Sequence, residues 1–216
     1  MPRLDHFVVT APDLVSGAAY VSETLGADLP SGGAHPLTST HNCLGGTGGG
    51  TYFEVIAADP TAAAPSRARP YGLETKPDAP RFATWVIAVD NMDAALGAAA
   101  AHGIETGPAV RLTRDTLAWD LTIPDNGSMP FGGTAPSIIA WPPGVHPSQT
   151  LPASGVTFER LEIRHPRANA LGAMFEDMGG LPTGVVLQSG ADARRATFRD
   201  ATDTRRQLTS GDAPWT

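Results

Sequence analysis

The chain begins with a strand-like and then a helix-like pattern of apolar side chains. Residues 4–11 (LDHFVVTA) are almost continuously apolar, which is typical of a buried strand. Apolar residues then recur at spacings of four and three over 14–25, and this periodicity predicts a helix. Asp13 is a favourable N-cap and Gly26 a favourable helix end. The first element is therefore a strand and the second an amphipathic helix.

The succession of strand, helix and further strands begins again twice along the chain. The three starts lie roughly 75 residues apart, which indicates an internal repeat. After the first helix the predicted elements are strands 40–44 and 51–58, then strand 82–89, helix 92–102 and strands 117–123 and 137–141, then strand 156–164, helix 169–178 and strands 184–188 and 196–200. The alternative is an ordinary α+β domain in which the periodicity is accidental.

This element order predicts an α+β protein of repeated βαβββ modules, with a partial third module. The first module covers 1–60, a connector rich in Pro and Ala covers 61–80, the second module covers 81–150 and the partial third covers 151–216. We expect these segments to form one compact domain.

Composition narrows the possible partners and the compartment. Fifteen Lys and Arg against 22 Asp and Glu give a formal charge of −7, which argues against nucleic acid as a partner. The arginines between 194 and 206 alternate with aspartates, so we expect them to form a solvated strand face. Cys43 is the only cysteine and no segment is long and apolar enough to cross a membrane. We therefore expect a soluble cytoplasmic protein, monomeric or homodimeric, with a small-molecule substrate.

Two ionisable residues fall within the apolar strands. His6 lies in the middle of the first strand, and Glu54 lies between Tyr52 and Ile56 on one face of the strand 51–58. A buried carboxylate is costly unless it is paired or bound to a metal. Imidazole nitrogen with carboxylate oxygen suits Zn, Fe, Mn or Ni. The alternative is a hydrogen-bonded His–Glu pair that lines a cavity without a metal.

Several segments together resemble a known group of proteins. The segments LDHFVVTAPDL, GGAHPLTSTHN, TYFEVIAADP, TIPDNGSMP and GVHP resemble the glyoxalase-like branch of the vicinal oxygen chelate superfamily, over roughly residues 3–165. The resemblance implies paired βαβββ modules with curled mixed sheets around a cavity. It also implies a divalent metal that chelates two substrate oxygens, with His6 and Glu54 as ligands. In the second module the matching positions fall near Thr84 or Trp85 and near Ile138 or Ile139, which are not good ligands.

Further polar and aromatic residues are candidates for the same site. His41 is a candidate third ligand or general base, and Asn42 must then point to the opposite side of a regular strand. In the strand 117–123 only Trp119 or Asp120 can face inward, and we expect Trp119 to line the pocket. The predicted catalytic residues are His41 and Glu54, the predicted metal ligands His6, Glu54 and His41, and the predicted substrate-binding residues His35, Asn42, Trp119, Ser128 and His146.

Two functions fit these candidates. The first is a glyoxalase-like enzyme that acts on a small oxygen-rich metabolite, with a divalent metal as Lewis acid, in isomerase, lyase or ring-opening chemistry. Oxygen-dependent cleavage remains open because His6, His41 and Glu54 would compose a 2-His-1-carboxylate set. The second is a non-catalytic protein of the same fold that sequesters a small molecule without metal. The missing second-module ligands favour the second reading, and the retained first-module ligands favour the first.

Overall fold

The computed structural model describes residues 1–114 and 117–210. The first module consists of five elements: β1 (Arg3–Thr10), α1 (Leu14–Leu25), β2 (Ser31–His35), β3 (Thr40–Gly46) and β4 (Tyr52–Ala58). Helix α1 begins where the Asp13 side chain accepts a hydrogen bond from the Ser16 amide, and it ends at Gly26 in the left-handed conformation. Strand β1 is buried along nearly its whole length because it lies in the middle of the sheet.

The second module repeats this plan. It contains β5 (Arg81–Ala88), α2 (Met92–Ala101), β6 (Ala109–Arg114), β7 (Leu117–Thr122) and β8 (Ser137–Ala140). The two modules join through antiparallel pairing of β1 with β5, which gives one eight-stranded sheet in the order β2-β3-β4-β1-β5-β8-β7-β6. In each module the first strand is parallel to the last. The edge strands β2 and β6 lie within contact distance of each other, so the sheet curls around a cavity. The predicted fold class is therefore confirmed.

The third segment has the same chain order but a different sheet. It contains β9 (Val156–Arg164), α3 (Ala168–Asp177), β10 (Val185–Gln188), β11 (Ala193–Asp200) and β12 (Arg205–Ser210). Its four strands are ordered β10-β9-β11-β12. The parallel neighbour of β9 is β10, the second strand of its segment, whereas the parallel neighbours of β1 and β5 are β4 and β8, the fourth strands of their modules. The arginines of this sheet are not all solvated: Arg194 is buried, so the prediction of a solvated strand face is wrong for that residue.

A shared aromatic core joins the two sheets. Phe7 of β1 and Phe53 of β4 contact Phe198 of β11 at ring-centroid distances of 5.1 and 4.8 Å, and Phe158 of β9 completes the cluster. This packing covers one face of the eight-stranded sheet and leaves the other, concave face to line the cavity. In the described part of the chain no helix is both long and apolar enough to span a membrane.

Candidate active site

The site begins at an irregularity of β1. The pairing of β1 with β5 shifts by one residue between Leu4 and His6, which leaves Asp5 as the extra residue of a β-bulge. In a regular strand the side chains of Asp5 and His6 would point to opposite faces. Here Asp5 Oδ1 lies 2.6 Å from His6 Nδ1, and both residues are buried. The bulge thus places the Asp5 carboxylate beside Nδ1 of the His6 imidazole.

The carboxylate of Glu54 faces the other side of the His6 ring. Oε2 lies 3.5 Å from His6 Nε2, which is close enough for strong attraction but too long for a well-formed hydrogen bond. Among the residues that the structure describes, His6 Nε2 accordingly has no hydrogen-bond partner, although it is buried. The Asn42 side-chain amide donates to Glu54 Oε1 at 2.7 Å, so one carboxylate oxygen is held and the other faces the imidazole.

The three ionisable groups shift one another's pKa values. Burial lowers the pKa of His6, but the hydrogen bond to Asp5 and the attraction to the Asp5 and Glu54 carboxylates outweigh burial and raise it to about 9. Burial raises the pKa of Glu54, but His6 outweighs it and lowers it to about 2. The pKa of Asp5 also falls well below its ordinary value, because hydrogen bonds from His146 and His6 outweigh burial. At neutral pH the site therefore holds an imidazolium between two carboxylates.

Polar contacts extend from this centre in both directions. On one side, Asp5 Oδ2 accepts hydrogen bonds from Trp141 Nε1 at 3.0 Å and from His146 Nε2 at 2.9 Å. On the other side, Asn42 Nδ2 lies 3.3 Å from His35 Nε2, and His35 Nδ1 lies 3.0 Å from the Thr40 hydroxyl. These contacts link β1, β2, β3 and the segment after β8 in one continuous buried network.

Part of this network lines a pocket whose empty space, including space open to solvent, is about 480 Å³; the members that line it are His6, His35, Asn42, Glu54 and Trp141. Tyr52 stacks on the His6 ring at a centroid distance of 4.7 Å. Tyr71 has a left-handed φ of 60°, which is unusual for an aromatic residue, and its side chain is buried in the pocket wall. The remaining wall is contributed by both modules and is largely apolar, with Leu44, Ile56, Pro70, Leu112, Trp119, Leu121, Ile139, Trp141 and Pro147 beside the polar Thr38 and Arg114.

The structure brings some of the predicted residues together and separates others. His6, Glu54, Asn42, His35 and Trp119 all line the pocket, and His146 reaches the site through Asp5.

Two further predicted residues lie outside the pocket lining. His41 does not line the pocket, because Asn42 faces it and neighbouring strand residues point to opposite faces. Ser128 is exposed in a turn, where its amide donates to Asn126 Oδ1, and it does not line the pocket either. The roles predicted for His41, as base or third ligand, and for Ser128, as substrate contact, stay predictions that the placement of these residues does not support.

Sequence reasoning missed Asp5, Tyr71, Arg114 and Trp141. Asp5 carried one usable signal, a charged residue within an apolar strand, but the bulge that turns it toward His6 depends on pairing with β5. Tyr71 lies in the segment that we interpreted as a connector. The alternation of apolar residues does not mark any of these side chains as neighbours of His6.

The ligand set for a metal ion is incomplete. Asp5 holds Nδ1 of His6 and leaves Nε2 free of hydrogen bonds, an arrangement typical of metal-bound histidine. However, residues 1–114 and 117–210 contain no group of three or more His, Cys, Asp or Glu side chains placed to hold a metal. In the first module Glu54 pairs with Val8 of β1, and the corresponding pair in the second module is Val86 with Ser137. Ser137 therefore occupies the position that matches Glu54, one residue before the predicted Ile138. With two protein donors, the residues do not fit the superfamily's metal site.

Comparison with known proteins supports the family and the fold. The family model described as a glyoxalase-like domain matches residues 4–179. A hypothetical protein from Staphylococcus aureus superposes with a TM-score of 0.59 at 15% identity, covering 99% of this chain and 87% of that chain. A mutant of 4-hydroxymandelate synthase from Streptomyces coelicolor superposes with a TM-score of 0.51 at 13% identity, covering 100% of this chain and 66% of that chain.

Methylmalonyl-CoA epimerase from Mycobacterium tuberculosis has a TM-score of 0.42 at 17% identity, covering 66% of this chain and 89% of that chain. No curated protein sequence matches significantly. The family model covers most of the chain, and the sheet has the paired-module architecture of the superfamily. The chain belongs to the glyoxalase-like domain family, with the vicinal oxygen chelate fold.

Proposed function

We propose that the protein is an enzyme that moves a proton on a small oxygen-rich metabolite, with Glu54 as base and His6 as acid. The observation that carries the proposal is the open contact of 3.5 Å between Glu54 Oε2 and His6 Nε2 at the pocket wall. Both groups are charged. Asp5 binds Nδ1 of His6 and Asn42 binds Oε1 of Glu54, and the facing atoms Nε2 and Oε2 do not form a hydrogen bond with each other. Paired titratable groups whose environments separate their pKa values are typical of acid–base catalysis.

The chemistry follows from the charge states of the two groups. Glu54 is ionised at neutral pH, so Oε2 accepts a proton from a carbon next to a carbonyl. The electron pair of the broken C–H bond moves onto the carbonyl oxygen, which the Nε2–H of the His6 imidazolium stabilises. If the planar enolate turns its opposite face to Glu54 before the proton returns to the same carbon, that carbon is epimerised; return on the original face regenerates the substrate, and exchange of the proton on Glu54 with solvent labels the carbon in either case.

Two residues support this step without touching the substrate's reacting atoms. Asp5 holds the His6 ring through Nδ1 and so directs Nε2 toward the pocket. Asn42 fixes Oε1 of Glu54 and leaves Oε2 available. A substrate that enters between the two charged groups weakens their attraction, which raises the pKa of Glu54 toward the range useful for a base.

The walls indicate the general character of the substrate. Trp119 and Trp141 contact each other at a centroid distance of 5.3 Å and, with Ile139, give an apolar part of the wall of the same pocket. Arg114 adds a cation that donates to Asn42 Oδ1 at 3.3 Å. A metabolite with at least two oxygens and a short apolar body fits this combination, which agrees with 2-oxo acids.

Hydrogen–deuterium exchange tests the proposal directly. The protein is incubated in D2O with 2-oxobutyrate or 2-oxo-4-methylpentanoate, and the loss of the C3 proton signal is followed by 1H NMR against buffer alone. We expect exchange with the wild-type protein, and a decrease of about 10²-fold or more in Glu54→Gln. The matched control is Glu159→Gln, which alters a carboxylate of β9 that pairs with Arg205 far from the pocket lining.

Two alternative functions predict different results. A sequestering protein would bind these acids, as seen by a thermal shift that Glu54→Gln alters, without any exchange in the wild type. A metal-dependent enzyme would contain stoichiometric metal by elemental analysis, would lose it in His6→Ala, and would lose exchange after chelation. Exchange that survives both chelation and Glu54→Gln would refute the role assigned to Glu54.

A further inference from the structure

A second pocket lies where the beginning of β5 meets the end of β12. It encloses about 700 Å³, including space open to solvent, and it shares no lining residue with the candidate active site. Its walls come from both sheets and from α1: Tyr20, Pro80, Arg81, Phe82, Ala83, Met129, Gly132, Arg194, Thr209 and Ser210. None of these described lining residues is acidic, although the chain as a whole has a formal charge of −7.

Arg194 is the buried cation of this pocket. Its Nη1 donates to the Thr134 hydroxyl at 2.7 Å and to the Gly132 carbonyl at 3.3 Å, and its Nη2 donates to the Ser210 hydroxyl. Its Nε–H is buried and has no hydrogen-bond partner among residues 1–114 and 117–210. Leaving a donor of a buried charged group without a partner is costly, so this N–H calls for an acceptor.

The geometry of the guanidinium defines the kind of acceptor. Nε–H and Nη2 lie on the same edge of an arginine side chain, and this edge binds carboxylate and phosphate oxygens in a fork. Asp192 approaches the other terminal nitrogen, with Oδ1 3.5 Å from Nη1, so its carboxylate does not pair with the Nε edge. Burial lowers the pKa of Arg194, and the neighbouring charge of Arg81 lowers it further, whereas Asp192 opposes both.

Arg81 provides a second cation at the pocket wall. It is the first residue of β5 and is exposed, and its Nε lies 3.4 Å from the Thr10 hydroxyl, which is a weak contact. Two guanidinium groups at one pocket repel each other, and an anion between them would remove that repulsion.

We propose that this pocket binds a small oxyanion, a phosphate or a carboxylate, between Arg194 and Arg81. The Nε–H of Arg194 supplies the buried contact, Arg81 closes over the anion from the solvent side, and the hydroxyls of Thr209 and Ser210 provide further donors at the end of β12. Because the walls belong to both sheets, the bound anion would also hold the four-stranded sheet against the eight-stranded one.

Calorimetric titration with sodium phosphate and, separately, with sodium acetate tests the site at pH 7, with sodium chloride added to keep the ionic strength constant. We expect one phosphate per chain in the wild type, with affinity reduced about tenfold or more in Arg81→Gln and in Arg194→Lys. Arg194→Lys keeps the charge but removes the Nε–H fork. The matched control is Arg199→Gln, also in β11, whose side chain pairs with Asp203 outside this pocket, and its affinity should equal that of the wild type.

The two anions separate the possible sources. Preference for phosphate over acetate indicates a phosphate ligand, and comparable affinities indicate a carboxylate metabolite. The proposal is overturned if neither anion binds the wild type at millimolar concentration, or if Arg81→Gln and Arg194→Lys bind as tightly as Arg199→Gln. If Arg194→Lys does not fold, the exposed Arg81→Gln decides the outcome alone.

Discussion

Replacing Asp5 by asparagine removes one of the two carboxylates between which the His6 ring lies. The substitution keeps the size of the side chain and an oxygen that accepts hydrogen bonds, but it removes the charge. In the native protein the His6 pKa is about 9 against an ordinary value of 6.5. At about 1.4 kcal/mol per pKa unit, this difference corresponds to about 3 kcal/mol of stabilisation of the imidazolium.

Most of the stabilisation depends on Asp5, whose hydrogen bond to Nδ1 is 2.6 Å long, whereas the contact with Glu54 is 3.5 Å. Burial continues to disfavour the charged ring after the carboxylate is lost. We therefore expect the His6 pKa in Asp5→Asn to fall by about 1–3 units, toward or below its ordinary value.

The measurement is a pH titration of the imidazole resonances of 15N-labelled protein by NMR. Asp177→Asn is the matched control, since it removes the carboxylate 2.8 Å from the His102 ring at the protein surface and should leave the titration of His6 unchanged. The reasoning is refuted if wild-type His6 titrates near 6.5, or if Asp5→Asn leaves its pKa near 9. Urea unfolding at neutral pH shows in parallel whether the variant remains folded.

Three further outcomes are expected. Stability to urea should be greatest between about pH 4.5 and 6.5. The raised pKa of His6 stabilises the fold fully below the ordinary histidine pKa of 6.5, and this contribution is lost as the pH rises through about 9. The lowered pKa of Glu54 stabilises the fold fully above about pH 4.5, and this contribution is lost as the pH falls through about 2. Phe198→Ala should lower the free energy of unfolding by about 3–5 kcal/mol, because its fully buried ring joins the two sheets, and a loss under about 1 kcal/mol in denaturant titration would contradict that packing. Gly32→Ala should weaken deuterium exchange, since a Cβ there would lie 2.1 Å from Asn42 Oδ1 and must displace the amide that holds Glu54, so unchanged exchange would argue against that positioning role.

Much of the fold could be predicted from local pattern. Strand β1, helix α1 and strands β4 and β5 were predicted within one or two residues, because their apolar periodicity reflects burial in the finished sheet. Strand β2 was not predicted: its sequence SGGAH has no strand-forming side chains, and it is extended because it pairs with β3.

The candidate site, like the fold, could be predicted only in part. The amino-acid sequence alone shows that His6 and Glu54 are ionisable groups within apolar strands, and such groups need a partner when they are buried. It also determined that Asn42 and His41 face opposite ways, but not which of the two faces the cavity. That choice depends on which side of β3 is covered by α1, and this is a property of the assembled layers.

The arrangement of the charged groups in the site depends on contacts between segments that are far apart in the chain. The bulge at Asp5, the reach of His146 to that carboxylate and the absence of a third metal-binding side chain beside Glu54 in the described residues all follow from pairing across distant segments. The same holds for Arg194, whose polar strand sequence suggested solvent but whose position against the eight-stranded sheet buries it. Local periodicity reports how each segment is buried, whereas register and bulges are set by partners far away in the chain, and these placed the charged groups together.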